Sequence, residues 1–267
     1  MSSATKTEDL WIQHPEGRLF CRIWSPASAL ASPIVLFHDS LGCVELWREF
    51  PQRLAEASGR RVIAYDRLGF GRSDPRPGRP SLDFVAEEAK RYFPQVRQQL
   101  GLARFVAMGH SVGGGMAIHC AALSADSCDA LVTESAQVFA EDRTLASIRE
   151  ARARFQDPEQ VRRLAKYHGD KAEWVRDAWT ENWLDPGFAD WSLLEVLPRV
   201  KCPVLAIHGG QDEYGTLRHP HLIGEHAAGP SRLAILPDTG HVPHREREEE
   251  VVRLLRNFLV TQPANAS

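Results

Sequence analysis

Arg104-Phe-Val-Ala-Met-Gly-His-Ser111-Val-Gly-Gly-Gly-Met-Ala-Ile-His-Cys120 joins two patterns at a single serine. Phe105 to Met108 form an unbroken apolar run, the kind that is buried on both faces of a parallel sheet. Beyond Ser111, a helix-length pattern continues through Met116, Ile118 and Cys120. Between them Gly109-His-Ser-Val-Gly113 matches GxSxG in the strand–turn–helix context that the motif requires. A serine on so tight a turn has a strained backbone and close neighbours, and glycine two residues to either side removes the Cβ atoms that would clash. Such a turn lifts the hydroxyl above the strand ends and aims a helix N-terminus at developing negative charge. GxSxG also arises by chance, so the competing reading is a glycine-rich turn used for packing or phosphate binding. Neither GxGxxG nor a GKS or GKT loop accompanies it.

Working outward, residues 10–24 alternate around a Pro-Glu-Gly turn, with Leu10, Ile12, Leu19, Cys21 and Ile23 at period two, which predicts an antiparallel hairpin. Apolar runs like that of 104–109 recur at 33–38, 61–66, 130–133, 203–208 and 232–236. Helix-length amphipathic stretches lie at 44–57, 82–100, 112–124 and 244–260. Strands that alternate with helices imply right-handed crossovers and a mostly parallel sheet covered on both faces, so the fold class is α/β, doubly wound. Between 137 and 198 the rhythm breaks into three charged helical patterns with no strand-like run. This predicts an inserted helical cap (137–198) on a core of 1–136 and 199–260, with a disordered tail at 261–267. Val175, Trp179 and Trp183 share one face of a helix in the cap. Packing on the main domain is the simplest use of that face, and a cap placed over a pocket would serve both ends.

The chain has 267 residues, and its 32 basic and 35 acidic residues give a formal net charge of −3 with no long block of one sign. Nucleic acid and anionic membrane are therefore not expected partners; a small-molecule substrate is. Cys21, Cys43, Cys120, Cys128 and Cys202 are odd in number and never form CxxC, which argues against a disulfide framework or a zinc site and for a reducing compartment. The first ten residues lack the apolar core of a secretory signal, and no apolar run is long enough to span a bilayer, so a soluble, cytoplasmic protein is expected.

A hydroxyl is a poor nucleophile until a base takes its proton, and the base needs an acceptor on its other nitrogen to orient it. His208-Gly-Gly-Gln-Asp212-Glu-Tyr-Gly215 places an acid just past one strand end. Pro237-Asp-Thr-Gly-His241-Val-Pro-His244 places a histidine just past the next. Loops at the carboxyl ends of parallel strands are where such sheets bind ligands, so Ser111, Asp212 and His241 should converge. Glu134, at a strand end after the serine, is an alternative acid with a poorer local pattern. His110 reads as a packed residue of the turn. His219, His221, His226 and His244 lack the clustered carboxylates or cysteines of a metal site and read as polar residues of the surface, so no metal is expected.

On these motifs, together with Asp66-Arg-Leu-Gly-Phe-Gly-Arg-Ser-Asp74, the chain resembles the α/β-hydrolase fold superfamily over nearly its whole length. The order Ser, Asp, His is the one that this architecture carries. The resemblance implies a Ser111–Asp212–His241 triad without cofactor, and a serine rather than an aspartate at the turn sets the chain apart from haloalkane dehalogenases and epoxide hydrolases. It further implies an oxyanion hole made by the N–H of Val112 and a second N–H from the loop after His38, at Ser40 or at Leu41. In this chain the usual His-Gly is His38-Asp39, which brings a carboxylate near a site that must hold an anion. Leu41, Trp179, Trp183 and Val242 are the expected substrate-pocket residues. The function expected is hydrolysis of a small ester, lactone or thioester through an acyl-enzyme. The alternative is carbon–carbon bond hydrolysis of ring-cleavage products with the same triad. A ligand-binding module that keeps only the fold is disfavoured by the presence of all three triad positions.

Overall fold

β1 (Lys6–Ile12) and β2 (Leu19–Ser25) pair antiparallel across the Pro-Glu-Gly turn, as the period-two alternation predicts. The computed structural model describes residues 5–29 and 31–260; the expected tail at 261–267 lies outside them. Six further strands follow: β3 (Ile34–Phe37), β4 (Val62–Tyr65), β5 (Phe105–His110), β6 (Cys128–Glu134), β7 (Val204–Gly209) and β8 (Ser231–Leu236). They form one sheet in the order β1-β2-β4-β3-β5-β6-β7-β8. From β4 to β8 all neighbours run parallel, while β2 meets β4 antiparallel.

Both faces of the sheet are covered, which is why its central strands read as continuous apolar runs. On β5, Val106 and Met108 belong to one hydrophobic cluster and Phe105 and Ala107 to the other. The first cluster is completed by α1 (Phe50–Ser58) through Phe50 and Leu54 and by the C-terminal helix through Val251 and Leu255. The second is covered by α2 (Phe84–Glu87), α3 (Phe93–Gln99) and α4 (Val112–Leu123), through Val85, Val96 and Met116.

Two stretches that the sequence reads as single helices are divided, and a third changes its winding without a break. Residues 82–100 pass from α2 through a π-turn at Glu88–Tyr92 into α3, whose first turn holds Pro94. Residues 44–57 are a 3-10 turn at Val44–Trp47 followed by α1, with Pro51 in its first turn. A proline has no N–H to give to a continuing helix: Pro51 falls in the first turn of α1, where that costs nothing, and Pro94 follows the π-turn, where the wider winding takes up the missing bond.

Between β6 and β7 lie α5 (Asp142–Arg154), α6 (Pro158–His168) and α7 (Ala172–Trp183), the three charged helical patterns of 137–198. Where the chain leaves the sheet and where it returns lie side by side. Phe139 and Ser192 form an isolated antiparallel bridge, flanked by Leu193 N–H to Val138 O (2.7 Å) and Ala140 N–H to Trp191 O (3.2 Å). After β7 come α8 (Arg218–His226), then, beyond β8, α9 (Pro243–Glu246) and α10 (Glu248–Val260), which divide the stretch 244–260 at Arg247. Among the described residues no helix is long and apolar enough to cross a membrane.

Candidate active site

Ser111 joins β5 to α4 with φ 55° and ψ −127°, outside the regions that ordinary L-residues prefer. A Cβ on Gly109 would collide with the carbonyl of Gly113, and one on Gly113 would collide with the carbonyl of Phe37 on β3. The two glycines of GxSxG therefore let the turn close on itself and let β3 pass beneath it. The Ser111 N–H is bonded to Glu134 O (2.8 Å). Val112 is the first residue of α4, so its N–H has no partner within the helix.

Asp212 follows β7 and His241 follows β8, and both side chains reach the serine. His241 Nε2 lies 3.0 Å from Ser111 Oγ, and His241 Nδ1 lies 2.9 Å from each carboxylate oxygen of Asp212. A carboxylate can only accept, so Nδ1 carries the hydrogen and Nε2 is free to accept from the hydroxyl. Burial works to raise the Asp212 carboxyl, but the His241 hydrogen bond, the nearby histidines and the Tyr214 N–H (2.7 Å) outweigh it and hold the group below the usual carboxylate range. The turn that carries His241 is fixed by Glu246, which accepts from Gly240 N–H (2.7 Å) and Val242 N–H (3.1 Å), and by His110, whose Nε2–H donates to His241 O (2.8 Å). Such a chain of groups can pass the serine proton to His241 while Asp212 stabilises the imidazolium.

Glu134, the alternative acid, serves a different histidine. It is fully buried, accepts from both the backbone N–H and Nδ1 of His244 (2.9 Å for the latter), and does not reach His241. Burial pushes the Glu134 carboxyl up, but His244 and His110 overcome this and hold it below its ordinary value. His110 is packed, as expected, and also supports the His241 turn. His219 and His244, read from the sequence as surface residues, are buried, each beside a carboxylate that its local sequence does not contain: His244 meets Glu134, and His219 accepts from Val138 N–H (3.1 Å) and faces Glu141 (3.2 Å). Among the described residues no group of three His, Cys, Asp or Glu side chains is placed to hold a metal ion.

The loop after β3 is held from behind. Asp39 O accepts from His38 Nδ1–H and from Arg67 Nη2–H, both at 2.8 Å, and from Gly42 N–H at 3.2 Å. In a trans peptide the carbonyl and the following N–H point in opposite directions, so anchoring Asp39 O directs the Ser40 N–H away from Arg67. The Asp39 carboxylate lies 3.4 Å from Leu41 N and 3.9 Å from His110 Nδ1. Burial would raise its pKa, yet His110 and His38 hold it far below the usual range.

Ser40, Leu41, Trp179, Trp183 and Val242 line a cavity of about 180 Å³ with Ser111 and His241. Val112 does not line it; its side chain is buried in the core beneath, and only its N–H is at the turn. The cavity also takes in Gln137, Thr144, Ile148, Glu213 and Tyr214, which motif reading does not single out. Gln137 Oε1 stands 3.4 Å from Ser111 Oγ, and the Tyr214 ring lies 4.8 Å from that of His241. Their one sequence signal is position, just past the carboxyl ends of β6 and β7.

The alpha/beta hydrolase family matches residues 34–254 of the chain. A proline iminopeptidase of Lactobacillus crispatus (strain ST1) is 25% identical over 266 residues, covering 85% of this chain and 90% of its own. A human serine hydrolase, BPHL, is 27% identical over 205 residues, covering 74% of this chain and 69% of its own. Among solved structures, the proline iminopeptidase of Mycobacterium smegmatis superposes with a TM-score of 0.74 at 20% identity, over 96% of this chain and 98% of that one.

Proposed function

We propose, from the premise that this chain belongs to the alpha/beta hydrolase family, that it hydrolyses a small carboxylic ester, lactone or thioester through an acyl-enzyme on Ser111. The observation that carries this reading is the unbroken chain from Ser111 Oγ to His241 Nε2 (3.0 Å) and from His241 Nδ1 to Asp212 (2.9 Å). His241 takes the hydroxyl proton as Oγ attacks the carbonyl carbon, the N–H groups of Val112 and Ser40 receive the oxyanion, and His241 returns the proton to the leaving group. Water then repeats the sequence on the acyl-enzyme. The segment 137–198 serves as the cap, since Thr144, Ile148, Trp179 and Trp183 supply one wall of the cavity. A space of about 180 Å³ suits a small acyl group; cavities of about 150 Å³ hold a benzene.

Among the described residues no arginine or lysine lines that cavity. A ring-cleavage dienoate carries a carboxylate that needs a cation, so this lining weighs against carbon–carbon bond hydrolysis. The same lining includes Glu213, which favours a second reading: release of an N-terminal proline, the reaction named for the relatives, with Glu213 facing the ammonium group. We place the enzyme in the cytoplasm, acting on small molecules and not on nucleic acid, in keeping with five buried free cysteines.

The test is a panel of p-nitrophenyl esters of increasing acyl length beside prolyl-p-nitroanilide and a vinylogous diketone acid. Turnover confined to short esters is the expected result; turnover of the anilide or the diketone alone would replace it with the corresponding reading. A fluorophosphonate probe should label the wild type and leave Ser111→Ala unlabelled.

A further inference from the structure

We propose that His168, at the end of α6, is a positioning residue for the oxyanion loop, so that the seating of the 137–198 segment on the core sets the aim of the Ser40 N–H. The inference rests on the reading of Ser40 as an oxyanion donor.

His168 is buried, and both ring nitrogens are engaged by the backbone of the core. Nδ1 receives the Gly71 N–H at 2.8 Å, and Nε2 lies 3.0 Å from Leu41 O. An amide N–H only donates and a carbonyl only accepts, so the ring is the neutral tautomer with its hydrogen on Nε2. Burial supports that state by pushing His168 down to about 4, against a smaller upward pull from Leu41 O.

Leu41 O and Asp39 O flank Ser40. The second is pinned by Arg67 and His38, from the core; among the described residues the first is pinned only by His168, from α6. The two anchors are also packed together. The Arg67 guanidinium lies 4.1 Å over the Phe70 ring, Phe70 meets His168 edge-on at 6.1 Å, and the Leu41 side chain packs on the cluster of Phe70, Leu164, Ala172 and Val175. A loop fixed at one carbonyl can rotate about that point, whereas a loop fixed at both has one orientation. A shift of about 1 Å in a donor is enough to cost a large part of its contribution.

The two bonds of His168 can be removed separately. The amide nitrogen of Gln reaches the place of Nε2, whereas the carboxamide of Asn reaches only the place of Nδ1. His168→Gln therefore keeps the bond to Leu41 O and loses that from Gly71, and His168→Asn does the reverse. Kinetics on a short p-nitrophenyl ester, with the affinity for a boronic acid that mimics the tetrahedral adduct, read the difference. We expect His168→Asn to lose about tenfold or more in kcat and a similar factor in boronate affinity with KM nearly unchanged, and His168→Gln to stay within about threefold of wild type. Lys171→Met, which removes the hold of the same segment on Gly71 O and Ser73 O (2.8 and 2.9 Å) without touching Leu41, should also stay near wild type.

Equal losses in the Asn and Gln variants, or a loss in Lys171→Met as large as in His168→Asn, would overturn the proposal, since either would mean general loosening. Should His168→Asn fail to fold, 15N-histidine NMR of the wild type reads the same bond: the His168 Nε2–H resonance should move on boronate binding, and an unmoved resonance counts against the idea. Ser111→Ala separates the layers. If that variant keeps its rate, the hydrolase reading itself fails; if it is dead while the His168 variants are alike, only this inference fails.

Discussion

The two halves of the site are held in different ways. The proton-transfer half, Ser111, His241 and Asp212, stands on the ends of β5, β8 and β7, and its supports belong to the same three turns: Glu246 braces the His241 turn from five residues away, Tyr214 N–H braces Asp212 from two, and His110, the neighbour of Ser111, holds His241 O. The anion-holding half is a loop after β3 that, beside its own His38 and Gly42, depends on other parts of the fold, on Arg67 from the loop after β4 and on His168 from 127 residues along the chain. On the proposed mechanism the sheet fixes where a proton can move, while packing from other parts of the fold helps to fix where a negative charge can rest. The first should fail only when its own side chains are changed; the second should also respond to changes in its supports.

The sharpest break is on the proton side. Ser111→Ala should lose on the order of 10⁴-fold or more in kcat while folding normally, because a triad acts as a unit and the change deletes only a hydroxyl. Single-turnover kinetics and a thermal melt check this. Asp212→Asn should cost about 10⁴-fold by favouring the wrong tautomer of His241. Glu134→Gln, which leaves an oxygen for His244, should lower the melting temperature with far less effect on kcat; the opposite ranking of these two variants would move the orienting acid to Glu134.

On the anion side, His168 links the loop to pH. Its folded-state pKa is lowered from 6.5 to about 4, so the stability it contributes is fully present above 6.5 and is lost as pH falls toward 4, because the unfolded chain takes up the proton first. The stability gap between wild type and His168→Gln should therefore narrow on acidification, by about 3 kcal/mol at most across that window. Urea melts at pH 7 and pH 4.5 measure it, and a gap that widens would contradict the buried neutral tautomer. Asp39→Asn should stay within about tenfold of wild type in kcat/KM, equivalent to roughly 1.4 kcal/mol, because the oxygen near Leu41 N is retained. Asp39→Ala should be worse. Trp179→Ala should have the smallest effect on the best ester, a change of a few-fold, with the optimum moving toward longer acyl chains as the wall recedes.

Much of this could be read from the chain because the information is local. A strand, a tight turn and a helix are adjacent in sequence at Ser111, and Asp212 and His241 each sit one short loop beyond a run of β-branched and aliphatic residues. The hairpin of β1 and β2 declares itself by alternation. Pro51 and Pro94, by contrast, lie inside continuous amphipathic patterns, and only the backbone shows that the first begins a new helix while the second follows a π-turn within one. Gln137, Glu213 and Tyr214 escaped notice because membership of a cavity depends on which way a loop turns after its strand. His168 escaped because nothing near it in sequence resembles a partner for Leu41 O.

The neck at Phe139 and Ser192 has an evolutionary corollary. A segment whose two ends are stitched together at its base can be lengthened, shortened or exchanged between homologues without disturbing the strands below, so acyl preference can diversify by trading whole roofs. Here the roof also carries an anchor of the catalytic loop. A chimaera that grafts a foreign roof onto this sheet and its flanking helices would inherit a new pocket but forfeit the imidazole on Leu41 O, unless the donor brings a hydrogen-bond donor to the same spot. If the proposed roles of the cavity wall and of His168 hold, substrate range and catalytic competence are inherited together with the segment.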